Sequence, residues 1–115
     1  MTVFGDVVEL FRSEEDDETL TITCAPTGLG GIRIHQLSAG ELTRWTFEES
    51  PHEIDTLVDA GGTARLRGYY GVETNAQLAR MLAVAFSDYD CSIKIRELMQ
   101  RLDISYEVVE KPIER

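Results

Sequence analysis

At 115 residues, with 43% apolar and 28% charged residues, the chain has the size and composition of one ordinary globular domain, large enough to bury a core without staples. Its formal charge of -10 sits in the first 60 residues, where thirteen carboxylates face Arg12, Arg33 and Arg44, whereas 61–115 carries eight acids and eight bases. That balance argues against direct nucleic-acid binding, which needs a basic surface or stripe, and no apolar run approaches the roughly 20 residues of a membrane span.

The N-terminus carries Asp6 and Glu9 with no early Lys or Arg, which does not suit a secretory signal. Phe4, Val7, Val8 and Phe11 fall at helical spacing, yet the same stretch also reads as a strand feeding a hairpin, and both readings stay open. Residues 13–18 follow, with five consecutive carboxylates, Glu14, Glu15, Asp16, Asp17 and Glu18, that repel one another and predict an exposed loop or hairpin tip.

From Thr19 the period changes to two. Leu20, Ile22 and Cys24 alternate with Thr19, Thr21 and Thr23, which predicts a strand; Pro26 to Gly31 is a turn, and Ile32 and Ile34 alternate with Arg33 and His35 in the next strand. After Ala39-Gly40, the stretch 41–48 sets Thr43, Trp45 and Phe47 against Arg44 and Thr46, a third strand of an antiparallel meander.

Ser50-Pro51-His52-Glu53 has the form of a capping box with proline at the first helical position, and Ile54, Leu57 and Val58 supply an apolar stripe, so a helix is expected that ends at Gly61-Gly62. Ala64, Leu66 and Gly68 alternate with Arg65, Arg67 and Tyr69, which predicts a half-buried strand. A second capping-box pattern, Thr74 to Gln77, precedes Leu78, Met81, Leu82, Ala85 and Phe86 at helical spacing. Ser87 to Asp90 is a polar break; Ile95, Leu98, Met99 and Leu102 then mark a third helix that Asp103 ends. Ile104, Tyr106 and Val108 alternate as a last strand, and 111–115 reads as a frayed tail. The expected fold is α+β, a single domain over 1–115 with a mainly antiparallel sheet of four to five strands and three helices on one face.

No catalytic constellation emerges, so the expectation leans away from an enzyme, with no cofactor. Gly28, Gly30 and Gly31 precede a strand rather than the helix N-terminus that a phosphate loop requires. Gln77 to Val84 has the small and apolar residues of the first helix of a helix-turn-helix, but Asp88 and Asp90 stand where phosphates would approach. His52, Glu53 and Asp55 are imaginable as metal ligands, yet Glu53 points elsewhere on a helix and His35 belongs to another element, so no metal site is expected. The carboxylate run lacks the ligand spacing of a calcium loop. Cys24 and Cys91 fit neither a zinc spacing nor a disulfide scaffold and read as buried thiols, Cys91 the more reactive through its place near a helix N-terminus. The chain therefore reads as a cytoplasmic protein.

Two functional expectations follow from charge. The first is a non-enzymatic module that docks its acids on a basic protein surface, in the manner of immunity proteins and inhibitors, through Glu14, Glu15, Asp16, Asp17 and Glu18 and through Glu48, Glu49, Glu53, Asp55 and Asp59. Of these, the second group is favoured, because a capped helix would present it as a fixed pattern. The alternative is a sheet face on which Arg33, His35, Arg44, Arg65 and Arg67 converge to hold an anionic ligand. Acidity as salt adaptation alone, and a homodimer through aromatic residues such as Trp45, Tyr69, Tyr70 and Tyr89, are open as well.

Overall fold

The computed structural model describes residues 7–15, 18–40 and 52–112. Five strands form one antiparallel sheet in the order β1 (Val8–Glu15), β2 (Glu18–Pro26), β3 (Ile32–Ala39), β4 (His52–Val58) and β5 (Glu107–Pro112). Three helices, α1 (Ala60–Tyr70), α2 (Asn75–Ala85) and α3 (Cys91–Arg101), enter between β4 and β5. The domain is thus α+β, as the patterning predicts, but the order of its elements differs from the expected one.

The alternation over 19–24 and 32–35 places side chains as expected. Ile22 and Cys24 of β2 and Ile32 and Ile34 of β3 are fully buried, and the register Cys24↔Ile34 and Pro26↔Ile32 keeps them on one face. The ambiguous first segment is the strand β1. It needs a bulge between Glu9 and Phe11, and the extra residue is Leu10. Two adjacent apolar residues cannot both face the core of a regular strand; the bulge lets Leu10 bury and Phe11 pack against the same cluster.

Residues 52–58 are β4 and not the expected helix. The local signals over 50–58 are helical, but β4 finds a partner on each side, β3 and β5, and its β-branched Ile54, Thr56 and Val58 suit a pleated surface. Tertiary pairing overrides local propensity here. Thr56 and Val58 bury opposite Ile34 and Ile32, and His52 buries opposite Ser38.

A second correction follows directly. Gly61 and Gly62 open a helix instead of ending one: the Asp59 side chain accepts a 2.8 Å hydrogen bond from the Gly62 amide and caps α1. A Cβ at Gly62 would stand 2.8 Å from Ile104 Cγ2 and 2.9 Å from Val58 Cγ1, so glycine permits the close approach of α1 to the sheet. Residues 64–69 are therefore helical, and the inward side chains are Thr63, Leu66 and Tyr70, spaced three and four apart. Gly71, at φ 69°, ends the helix in the left-handed conformation.

The later elements match their signals. Gln77 N donates to Thr74 Oγ1 and Thr74 N to Gln77 Oε1, each at 3.1 Å, completing the capping box of α2. Leu78, Ala79 and Leu82 of α2 and Ile95, Leu98 and Met99 of α3 meet Ile22 and Ile34 in one core. Asp103, at φ 58°, follows the end of α3, with Ile104 N bonded back to Met99 O. Ile104 buries before the last strand begins, and β5 runs from Glu107 to Pro112, into the stretch expected to fray. The strand expected over 41–48 lies outside the described residues. Among the described residues no helix is long and apolar enough to cross a membrane.

Candidate functional site

With the helices on one face, the odd-numbered residues of β3 and β4 lie on the other. The antiparallel register puts His35 across from Asp55, Leu37 across from Glu53 and Arg33 across from Leu57, so four polar side chains from two adjacent strands meet on that face. Arg33 Nε approaches Asp55 Oδ1 at 2.8 Å and Nη2 approaches Oδ2 at 3.1 Å, a guanidinium fork on one carboxylate. His35 Nδ1 lies 2.7 Å from Asp55 Oδ1, and Arg33 Nη2 is 2.9 Å from the same nitrogen. On the far side of the ring, His35 Nε2 is 3.8 Å from Glu53 Oε2. The side chains of Asp55, Glu53 and His35 retain only 12%, 16% and 25% of their exposure.

Burial by itself raises the Asp55 carboxyl, but the hydrogen bonds from Arg33 and His35, and the positive charge they bring, outweigh it and hold the group below its ordinary value of 3.8. The Asp55 carboxylate accepts only and the Arg33 guanidinium donates only, so Nδ1 donates to Asp55 Oδ1 in one tautomer of the ring and accepts from Arg33 Nη2 in the other. One ligand atom each from His35, Glu53 and Asp55 lies within 4.8 Å of the others, the one group of three such residues among the described side chains.

The five-carboxylate run has a different setting. Register carries β1 and β2 to the pair Glu15↔Glu18, so Glu14, Glu15 and Glu18 belong to strands rather than to the exposed loop or hairpin tip expected over 13–18. Glu14 is 66% exposed; Arg12 stands between Glu9, at 2.9 Å, and Glu14, at 3.7 Å. Asp16 and Asp17 lie outside the described residues, as do Glu48, Glu49 and Arg44.

The structure disperses the described members of the second acidic group, Glu53, Asp55 and Asp59. Glu53 and Asp55 face Arg33 and His35 on the sheet, and Asp59 is engaged as the cap of α1. The arginines expected to converge also separate. Arg65 and Arg67 are on α1, where Arg65 donates to the backbone oxygens of Asp103, at 2.8 Å, and Leu102, and Arg67 donates to Asn75 Oδ1. Asn75 in turn donates to Gly30 O at 2.9 Å, so Arg67 ties α1 and α2 to the turn before β3. His52, imagined beside Glu53 and Asp55, is buried on the opposite face, with Nε2 3.5 Å from Glu110 Oε2.

Neither thiol is activated. Burial, and secondarily the nearby Cys91, push Cys24 up to about 12, and burial pushes Cys91 up to about 11 against the hydrogen bond from the Ser92 backbone. The helix N-terminus does not make Cys91 the reactive thiol that its place in sequence predicts, because desolvation outweighs the dipole. Ser92 is buried and donates to Gln36 Oε1 at 2.7 Å.

Sequence reasoning missed the His35, Glu53 and Asp55 cluster because it placed 52–58 on a helix. The signal that finds it is the alternation of Arg33 and His35 with buried isoleucines, matched to a second strand in which Glu53 and Asp55 alternate with Ile54 and Thr56. No protein-family model matches the chain, and neither a curated protein nor a solved structure matches it.

Proposed function

We propose that the protein is a non-enzymatic binding module that docks the acidic end of its β1–β2 hairpin on a basic surface of a partner protein, the mode of action of immunity proteins and inhibitors. One observation carries the reading: the fold uses the carboxylates of Asp55 and Asp59 internally, whereas Glu14 stands 66% exposed within a run of five acids at the end of a two-stranded ribbon. Concentrated carboxylates accelerate encounter with a basic patch by a factor of roughly 10 to 1,000 at low ionic strength, and the effect decays with salt. The raised thiols and the hydrogen-bonded Ser92 support a role that does not depend on covalent chemistry.

The test is affinity capture from cells of the source at low salt, with the wild-type chain and with a variant in which Glu14, Glu15 and Glu18 become Gln and Asp16 and Asp17 become Asn. Circular dichroism verifies that the variant keeps its fold. The expected result is a basic protein retained by the wild type, released by salt, and lost or bound with at least a tenfold slower on-rate by the variant. Retention of the same protein equally by both chains, or capture of no basic protein, refutes the proposal.

A further inference from the structure

On the β3–β4 face the arrangement supports a site independent of the hairpin. We propose that His35 and Glu53 bind a first-row divalent transition-metal ion, with Asp55 as the carboxylate that orients the His35 ring. A metal on Nε2 calls for the hydrogen on Nδ1, and Asp55 Oδ1 stands 2.7 Å from Nδ1 to accept it while Glu53 lies on the Nε2 side. A carboxylate behind the imidazole is the usual outer support of a metal-bound histidine, because it fixes the tautomer and raises the basicity of the free nitrogen.

The spacing between Nε2 and Glu53 Oε2 supports the same reading. At 3.8 Å it exceeds hydrogen-bond reach, but two ligands each about 2.1 Å from one ion stand roughly 3.0 to 4.2 Å apart, depending on the angle between them. Imidazole nitrogen with carboxylate oxygen suits Zn²⁺ and its first-row neighbours, whereas Ca²⁺ and Mg²⁺ prefer oxygen alone. Arg33 decides the role of Asp55. Its guanidinium already holds both Asp55 oxygens, so Asp55 serves as a support, and Glu53 Oε2, on the Nε2 side of the ring, supplies the carboxylate ligand. The guanidinium meets the ring at Nδ1, away from Nε2. Water completes a shell that the protein fills only in part. Both ligands sit on inner strands of the sheet, each paired on both sides, and the -10 charge of the chain favours a cation. Glu53 already has an interaction of its own, with which an ion at this position competes.

The experiment is calorimetric titration of the chelator-treated full chain with ZnCl₂, followed by thermal unfolding with and without the ion. The wild type is expected to take up one equivalent saturably and to melt higher. His35→Gln and Glu53→Gln each lose that equivalent, Asp55→Asn weakens it by about 10- to 100-fold, and the hairpin variant with its five acids neutralised keeps it. Circular dichroism confirms the fold of each variant. In the wild type, nuclear magnetic resonance should show the ring signals of His35 moving with Zn²⁺ while those of His52 stay. Absence of a saturable equivalent, equal uptake by His35→Gln or Glu53→Gln, or movement of His52 alone overturns the site; wild-type affinity in Asp55→Asn overturns the orienting role.

Discussion

The end of the first hairpin and the β3–β4 face carry the same residue types and use them in opposite ways. At the hairpin, five carboxylates follow one another along the chain, Glu14 is largely exposed, and Arg12 shares its charge between Glu9 and Glu14. On the sheet, Asp55 lies 20 residues from His35 in sequence, and register brings them to 2.7 Å, with Arg33 forked on the same carboxylate. A carboxylate count therefore says little about where an acidic protein can spend its charge. What matters is whether the fold has already given each group a donor.

Removing Asp55 should separate the two regions most sharply. Asp55→Ala leaves Arg33 and His35 without their shared acceptor and should destabilise the fold by about 2 kcal/mol, the worth of hydrogen bonds to a charged group after the exposure of Arg33 is discounted. Glu14→Ala should change stability by no more than about 0.5 kcal/mol. Urea unfolding of both variants measures the contrast, and equal effects would break it. The pH profile sharpens the same point. Asp55 titrates below its ordinary value of 3.8, so its contribution is complete above that value and disappears as pH falls through the lower folded one. The advantage of the wild type over Asp55→Asn should accordingly shrink as pH falls below 3.8.

Asp59 lies between these extremes, an acid that the fold uses but that remains near solvent. Its 2.8 Å bond to the Gly62 amide caps α1, and Asp59→Ala should cost about 1 kcal/mol, read as a lower urea midpoint, with Asp59→Asn recovering most of it. This residue also shows where the sequence was legible. The alternation of β2 and β3 and the capping box of α2 are local signals, and local geometry obeys them. Over 52–71 the local signals mislead. Glu53 mimics a capping residue, Gly61 and Gly62 mimic a stop, and the inward stripe of α1 contains the polar Thr63. The partners that make 52–58 a strand are β3, which ends at Ala39, and β5, which begins only at Glu107, so the decisive pairings are distant in sequence. The same distance hid the cluster: His35 and Asp55 become neighbours only when strand register is known.

The smallest expected effect tests the hairpin from the opposite direction. Glu15 and Glu18 are cross-strand partners at its end, and like charges at such positions oppose pairing. Glu15→Lys turns the pair into opposite charges and should stabilise the fold by about 0.5 kcal/mol at low salt. Exposed charges lose most of their interaction beyond a Debye length, about 3 Å at 1 M salt, so the gain should fade as salt rises. The same substitution at the docking surface should slow partner encounter. A chain that becomes slightly more stable and a slower binder at once would show that the hairpin keeps an unfavourable charge pattern for the sake of its partner. Slower binding with no gain in stability would instead assign the repulsion at the tip to solvent, which already screens it.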